Sequence, residues 1–332
     1  MKSIDIVVPA FNEEACLPRF YERLQPVIDA LDYEVRVIFV DDGSTDGTRR
    51  VIGELIDRDP RISLLRFARN FGHQAALTAG LDQADADAVI TIDADLQHPP
   101  EKLPELLAAW EGGAELVSAI RARTADVGGF KRLSSKLFYR LLNVISPVSL
   151  TLDSPDFRLL DRKVVEAVCA MREQSRFLRG MYAWVGFESA QVPYAEDARA
   201  AGQSHYSLRA MLVLALSAVL SFSRVPLRLA TYLGLSVSLL AFGFGVYALS
   251  MNLVFHQVIR GWTSLAVLVS FLSGVQLLTL GVLGEYLGQV LEETKGRPLY
   301  VLSERRLGAA GSGARAAGEE AAGAKSSGRE SA

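Results

Sequence analysis

The sequence predicts an α/β domain on a mostly parallel sheet, followed by a C-terminal interfacial helix and a two-helix transmembrane hairpin. Three observations predict this. Over residues 1–111, short β-branched runs alternate with longer segments of helical period, the βαβα order of a sheet covered on both faces. Three of those runs end in acid-rich clusters: Asn12-Glu13-Glu14, Asp41-Asp42-Gly43-Ser44 and Asp93-Ala94-Asp95. Residues 229–255 and 261–284 contain no charged side chain. Each of these two runs exceeds the roughly 20 apolar residues that cross a bilayer core of about 30 Å.

The elements follow in order. Ile4–Pro9 reads as a buried, central strand, and Glu14–Leu31 has helical periodicity. Val35–Asp41 is a second buried strand, and Thr45–Asp57 a helix with Ser44 or Asp46 as candidate N-cap. Ser63–Phe67 is a third strand and His73–Ala84 a helix. Ala88–Asp93 is a fourth strand running directly into DADLQHPP, and Pro99–Glu111 another helix. Asp153–Asp161 is a turn leading into a short strand, and Phe187–Pro193 an edge strand ended by its proline. These elements make up a domain over 1–205. Residues 206–227 mix apolar and small side chains with arginine, as a helix lying on a membrane surface does. Spans over 228–256 and 261–287 follow, and the short connector His256–Arg260 forces them antiparallel. A cytosolic segment over 288–307 leads to 308–332, a Gly/Ala/Ser-rich stretch without aromatics that is expected to be disordered.

Charge sets the orientation. Arg209, Arg224 and Arg228 precede the first span, and Lys295, Arg297, Arg305 and Arg306 follow the second; the connector offers only Arg260. This bias places both termini and the catalytic domain in the cytoplasm, at an inner membrane crossed twice. The start, MKSIDIVVPAFNEE, lacks the pattern of a signal peptide. Cys16 and Cys169 are the only cysteines, which suits a reducing compartment and carries no metal signal. A net charge of −3 gives no electrostatic ground for a nucleic-acid partner.

The chemistry concentrates at the strand ends, where open α/β sheets bind ligands. Asp93 and Asp95, at i and i+2 on an exiting loop, can share one hard divalent cation, Mg²⁺ or Mn²⁺, with Gln97 adding a carbonyl oxygen. Such a cation would bridge a diphosphate and neutralise a leaving group. A solvated acidic turn is the plainer reading of the same residues. Side chains around Pro9–Glu13 and Asp41-Asp42 can hydrogen-bond a base and ribose, and Phe11 can pack on a base or in the core. Neither GxGxxG nor GxxxxGK[ST] occurs, which argues against a dinucleotide oxidoreductase or a P-loop enzyme. Arg121, Arg123, Arg132 and Arg140 could bind a phosphate dianion in bidentate fashion, or form a solvated basic face.

Taken together, VVPAFNEE, DDGSTDGT, RNFGHQAALTAGLD, DADLQHPPE, DFRLLDR, GQSHYSL and GEYLGQVLEETKGRPLY resemble the family 2 glycosyltransferases acting on polyprenyl phosphates, over roughly residues 3–301. Within them, the chain looks most like the bactoprenol glucosyltransferases. The resemblance implies a GT-A fold and inverting transfer from a nucleotide-sugar donor to a polyprenyl phosphate, with UDP-glucose and undecaprenyl phosphate as the expected pair. It also implies a divalent cation and a homo-oligomer, possibly a tetramer, at the membrane. Carried over, Pro9, Phe11, Glu13, Asp41 and Asp42 would line the nucleotide site, and Asp93, Ala94, Asp95 and Gln97 would surround metal and donor. Asp156 matches the carboxylate proposed as base; with Asp95 it completes the expected catalytic pair. Arg199, Ser204 and His205 match a segment closing over the donor phosphates, with His205 where the family commonly has Lys. The acceptor's second pKa is about 6, so it arrives mostly deprotonated, and Asp156 is expected to orient more than to deprotonate. Other donors, such as GDP-mannose or a UDP-linked modified arabinose, remain open. A polysaccharide synthase is disfavoured because Arg179–Trp184 lacks the QxxRW order, and a non-catalytic scaffold because the acidic cluster is intact.

Overall fold

A computed structural model of the chain describes residues 1–121, 155–174, 176–195, 225–253 and 261–308. Arg123, Arg132, Arg140, Arg199, Ser204, His205, residues 206–224, the connector 256–260 and the tail beyond residue 308 lie outside them. Two compact units result, one holding residues 1–139, 148–205 and 298–332, the other 140–147 and 206–297.

In the first unit, β1 (Ser3–Ala10), α1 (Leu17–Asp29), β2 (Glu34–Asp41), α2 (Thr48–Arg58), β3 (Ile62–Phe67), α3 (His73–Gln83) and β4 (Ala88–Thr91) follow the expected alternation. A 3₁₀ turn over Pro100–Lys102 then leads into α4 (Leu103–Glu111). The sequence reading did not anticipate β5 (Leu116–Arg121), α5 (Arg162–Ala170) or α6 (Leu178–Val185). It did anticipate β6 (Arg158–Asp161) and β7 (Ser189–Tyr194). Pro193 sits inside β7 opposite Ile120 and does not end it; on an edge strand its missing N–H costs no ladder bond.

The eight strands lie in the order β7-β5-β6-β4-β1-β2-β3-β8. β1 pairs in parallel with β2 and β4, β2 with β3, and β5 with β7. β6 runs antiparallel to β4 and β5. β8 (Leu302–Arg306) runs antiparallel to β3, within what the sequence suggested was a plain cytosolic segment. The alternation of β1 divides the core. Ile4, Ile6 and Val8 face a layer with Leu17, Phe20, Ile52 and Leu106; Val7 faces Ala76, Leu77, Val165 and Leu178. The chain runs from β1 outward to β3, then crosses back to β4 on the other side of β1. The switch point therefore falls between β1 and β4, where such sheets bind ligands.

Two expected boundaries shift for a local reason. The helix after β2 starts at Thr48, not Thr45, because the loop before it is tied to β1's loop. Asn12 Oδ1 accepts the Thr45 N–H at 2.9 Å, and Glu14 accepts the Gly47 N–H at 3.0 Å. Neither Ser44 nor Asp46 is the cap residue, although Asp46 accepts the Thr48 N–H at 3.0 Å. β4 ends at Thr91 because Asp93 turns its N–H to His98 Nδ1 at 3.2 Å.

The second unit contains α7 (Val225–Leu253) and α8 (Trp262–Thr294), which pack against each other. Leu239, Leu240, Phe242, Leu277 and Leu287 stand exposed on them. Among the described residues one stretch, Phe271–Thr294, is long and apolar enough by length and composition to cross a membrane; Ala230–Phe244 is apolar but shorter. The expected first span begins within α7, which starts at Val225.

Candidate active site

Parallel strands bring their carboxyl ends to one rim, and an antiparallel neighbour brings its amino end there. Thr91 at the end of β4 pairs with Arg158 at the start of β6, so Asp156 stands beside the Asp93 loop. The Thr91 hydroxyl donates to the Asp156 carbonyl at 2.6 Å and fastens the two segments. Two predicted residues far apart in sequence thus meet in space.

Beyond β4, burial alternates. Asp93, Asp95 and Gln97 are half-exposed, while Ala94, Leu96 and His98 are buried. Leu96 takes a positive φ of 66°, which lets the loop turn while keeping that alternation. Asp95 accepts the Gln97 N–H at 3.0 Å, closing the turn on itself. Ala94 is 2% exposed and belongs to the core beneath the loop. His98 is held under the loop, stacked on Phe157 with centroids 5.3 Å apart. Burial pushes its pKa down, which agrees with a neutral ring whose Nδ1 accepts from Asp93. Arg121, exposed at the end of β5, is near enough for its charge to lower the His98 pKa as well.

Among the described residues no group of three or more His, Cys, Asp or Glu side chains is arranged to hold a metal ion. Asp93 and Asp95 would therefore leave most of a cation's shell to phosphate oxygens and water. Mg²⁺ and Mn²⁺ favour that share when they bridge a diphosphate. The two outward carboxylates fit such a group.

Asp156 is 4% exposed and doubly held. Arg179 Nε and Nη2, from α6, donate to its two oxygens at 3.0 Å each, a bidentate pair. His73 Nε2, from the first residue of α3, lies 3.3 Å from Oδ2. Burial raises the carboxyl's pKa, but His73 and Arg179 outweigh it and hold Asp156 far below the usual carboxylate range. His73 also reaches Asp93, at 3.7 Å. Burial lowers the His73 pKa, yet the Asp156 hydrogen bond and the two carboxylate charges bring it up overall.

On the other side of β1 stand the residues expected to line a nucleotide. Phe11 is 44% exposed on the loop after β1, so it is not a core residue and its ring is open to a ligand. Pro9 is buried in β1 opposite Val40. The Glu13 N–H donates to Thr48 Oγ1 at 2.9 Å, and its side chain bonds Cys16. Burial and Glu13 push that thiol up to about 11, which keeps it protonated. Asp41 is fully buried; its oxygens accept from Ser44 N–H at 2.8 Å and Arg66 Nε at 3.1 Å. Asp42 accepts the N–H groups of Phe71 at 2.7 Å and Gly72 at 3.0 Å. Both carboxylates thus brace loops, and Asp41 has no surface left for a ligand. Gly43 is required where it stands: φ is +70°, and a Cβ would come within 2.5 Å of the Arg69 carbonyl carbon.

Sequence reasoning missed His73, His98 and Arg179. His73 stood inside a quoted motif, and Arg179 was weighed only as part of a motif it failed to complete. The shared partner of His73 and Arg179, Asp156, is distant in sequence, so no local spacing signals them; His98 meets Asp93 within one loop, but its stacking on Phe157 is equally distant.

The model of glycosyl transferase family 2 matches residues 5–169. The chain is 42% identical over 305 residues to the SfII prophage-derived bactoprenol glucosyl transferase of Shigella flexneri, covering 92% of this chain and 99% of that one. It is 41% identical over 299 residues to an uncharacterized glycosyltransferase of Bacillus subtilis, covering 90% and 93%. A solved structure, glucosyl-3-phosphoglycerate synthase from Mycobacterium tuberculosis with Mn²⁺ and UDP-glucose, matches with a TM-score of 0.46 at 21% identity, over 66% of this chain and 77% of that one.

Proposed function

The chain belongs to glycosyltransferase family 2, and from that premise we propose that it transfers glucose from UDP-glucose to undecaprenyl phosphate, with inversion at the anomeric carbon. Donor sugar and acceptor follow the name of the Shigella flexneri relative, which this chain matches nearly end to end. The observation that carries the reading is the rim itself. Two outward carboxylates, Asp93 and Asp95, stand beside a buried Asp156 that is clamped by Arg179, which with His73 holds its pKa below the usual carboxylate range.

In the reaction, an oxygen of the lipid phosphate attacks the anomeric carbon, the bond from that carbon to the diphosphate breaks, and UDP leaves with the electron pair. A Mg²⁺ or Mn²⁺ ion on Asp93 and Asp95, with Gln97 beside them, would neutralise the charge gathering on the leaving diphosphate. Phe11 and the Asp42-braced loop would receive the nucleotide. Asp156 is a poor proton acceptor, since a base needs a pKa near the working pH. Its task is to hold Arg179, and through it the acceptor phosphate, which is mostly deprotonated on arrival. Arg121 would add a second guanidinium at the same rim. Helices α7 and α8 would form the two-span hairpin that keeps this site at the level of the lipid phosphate, with both termini in the cytoplasm.

The test uses the full-length protein in lipid nanodiscs. Labelled UDP-glucose, GDP-mannose and a UDP-linked arabinose derivative are supplied separately with undecaprenyl phosphate and Mg²⁺ or Mn²⁺. UDP-glucose alone should label the lipid, and Asp93→Ala with Asp95→Ala should reduce labelling by at least about 100-fold. Lipid labelled only by another donor would replace the sugar assignment. Undiminished labelling in excess chelator, or by the double variant, would remove the metal site.

A further inference from the structure

His73 helps to hold Asp156, and it also reaches Asp93 across the rim. It is the first residue of α3, directly after Gly72, whose φ of 99° sets the turn into the helix. The N–H groups of Phe71 and Gly72 are both bound by Asp42, so the approach to His73 is fixed from the nucleotide side. Its Nε2 lies 3.3 Å from Asp156 Oδ2 and 3.7 Å from Asp93 Oδ1. Its side chain is 43% exposed, so the ring faces the open rim and is not sealed beneath it. Arg179 serves Asp156, and His98 lies against Asp93. Among the described residues, His73 is the one side chain within reach of both carboxylates.

Two anions from different segments repel when brought together, and an imidazole that hydrogen-bonds one and lies in charge contact with the other offsets that repulsion and sets their separation. Resting on the proposed transferase reading, we infer that His73 is a positioning residue. It ties the carboxylate that faces the cation to the carboxylate that faces the acceptor, and so fixes how the two phosphate-binding ends of the site are aligned. The loop order supports this: Asp42 braces Phe71 and Gly72, these set His73, and His73 spans Asp93 and Asp156. Nucleotide side, metal side and acceptor side thus meet in one imidazole.

The test compares His73→Ala and His73→Gln in the full-length protein. Glutamine keeps N–H donors near the position of Nε2, whereas alanine removes the link. Three quantities are measured: kcat and KM for both substrates, the melting temperature, and Mn²⁺ binding by electron paramagnetic resonance with UDP present and no turnover. Alanine should lower kcat and weaken Mn²⁺ binding in the UDP complex, each by about 10–100-fold, the usual effect of losing a group that orients metal ligands. KM for the lipid should change less than kcat, and the melting temperature should stay close to wild type. Glutamine should recover a large part of both losses. Unchanged Mn²⁺ binding in His73→Ala would overturn the inference. So would a glutamine variant no better than alanine, or a loss tracking only a lowered melting temperature. If the wild type labels no lipid with any donor, the transferase reading fails, and the resonance measurement still decides whether His73 organises the cation site.

Discussion

At the scale of the residue, Asp156 shows how burial and partners compete. Burial alone would favour its neutral form, but a bidentate guanidinium and an imidazole outweigh that cost and keep it ionised. Because its folded pKa is depressed, its contribution to stability is complete above the unfolded carboxylate value of about 3.9 and fades only as pH falls through the lower folded value. Over the working range Asp156 does not titrate, so the rise of rate with pH should come from the acceptor phosphate, near pH 6. Asp156→Asn should therefore lower kcat by about 10–100-fold through the loosened Arg179 while keeping the same acid limb. A pH–rate profile of the variant that has lost that limb would place the titrating group on Asp156 instead. The sequence showed Asp93 and Asp95 because a two-residue spacing after a strand is a local signal. It did not show His73 as a neighbour of Asp93, nor His73 and Arg179 as partners of Asp156, since Asp156 reaches the Asp93 loop only once β4 and β6 are paired.

At the scale of the element, α3 has two tasks that constrain each other. Its first residue must reach the rim, and its body must lie close on β1. Gly80 permits the second: a Cβ there would fall 2.1 Å from Val7 Cγ1, and valine, branched at Cβ, has few rotamers with which to retreat. Gly80→Ala gains about 1 kcal/mol of helix propensity. Overpacking at such a contact costs about 1–3 kcal/mol and should win. The variant should melt lower, with reduced activity because His73 moves with its helix, and adding Val7→Ala should restore part of both. A Gly80→Ala protein as stable and active as wild type would show that α3 can shift on β1 freely. The helix itself was legible as His73–Ala84, one residue past its observed end at Gln83, whereas β5, α5 and α6 were not. β5 joins the sheet through an antiparallel neighbour, outside the βαβ alternation that made the first four strands readable.

At the scale of the whole molecule, the charge-free stretches beyond residue 228 marked off the second unit, and the first unit's alternation marked the sheet. What composition could not show is that the chain returns to the sheet after α8. There β8 pairs with β3, so that β3, a parallel strand early in the chain, does not remain an open edge. Tyr300 anchors the return. Its ring stacks on Phe67 with centroids 5.2 Å apart, and its hydroxyl donates to Asp82 Oδ2 at 3.0 Å, on α3. The residues between α8 and β8 therefore hold both the sheet edge and the helix that carries His73. Removing the hydroxyl in Tyr300→Phe takes one donor from a carboxylate whose Oδ1 already lacks a hydrogen-bond partner among the described residues. A hydrogen bond to a charged acceptor contributes about 1.5–3 kcal/mol when buried, and this half-buried one should cost about 1 kcal/mol. Tyr300→Ala also loses the ring stack, about 0.5–1.5 kcal/mol beyond its buried area. The two variants should therefore melt in that order below the wild type, with the alanine protein also more prone to associate through the loosened edge. Equal melting temperatures for wild type and Tyr300→Ala would mean that β8 is held by its ladder and by the Arg49–Glu304 pair at 2.7 Å, without help from the tyrosine.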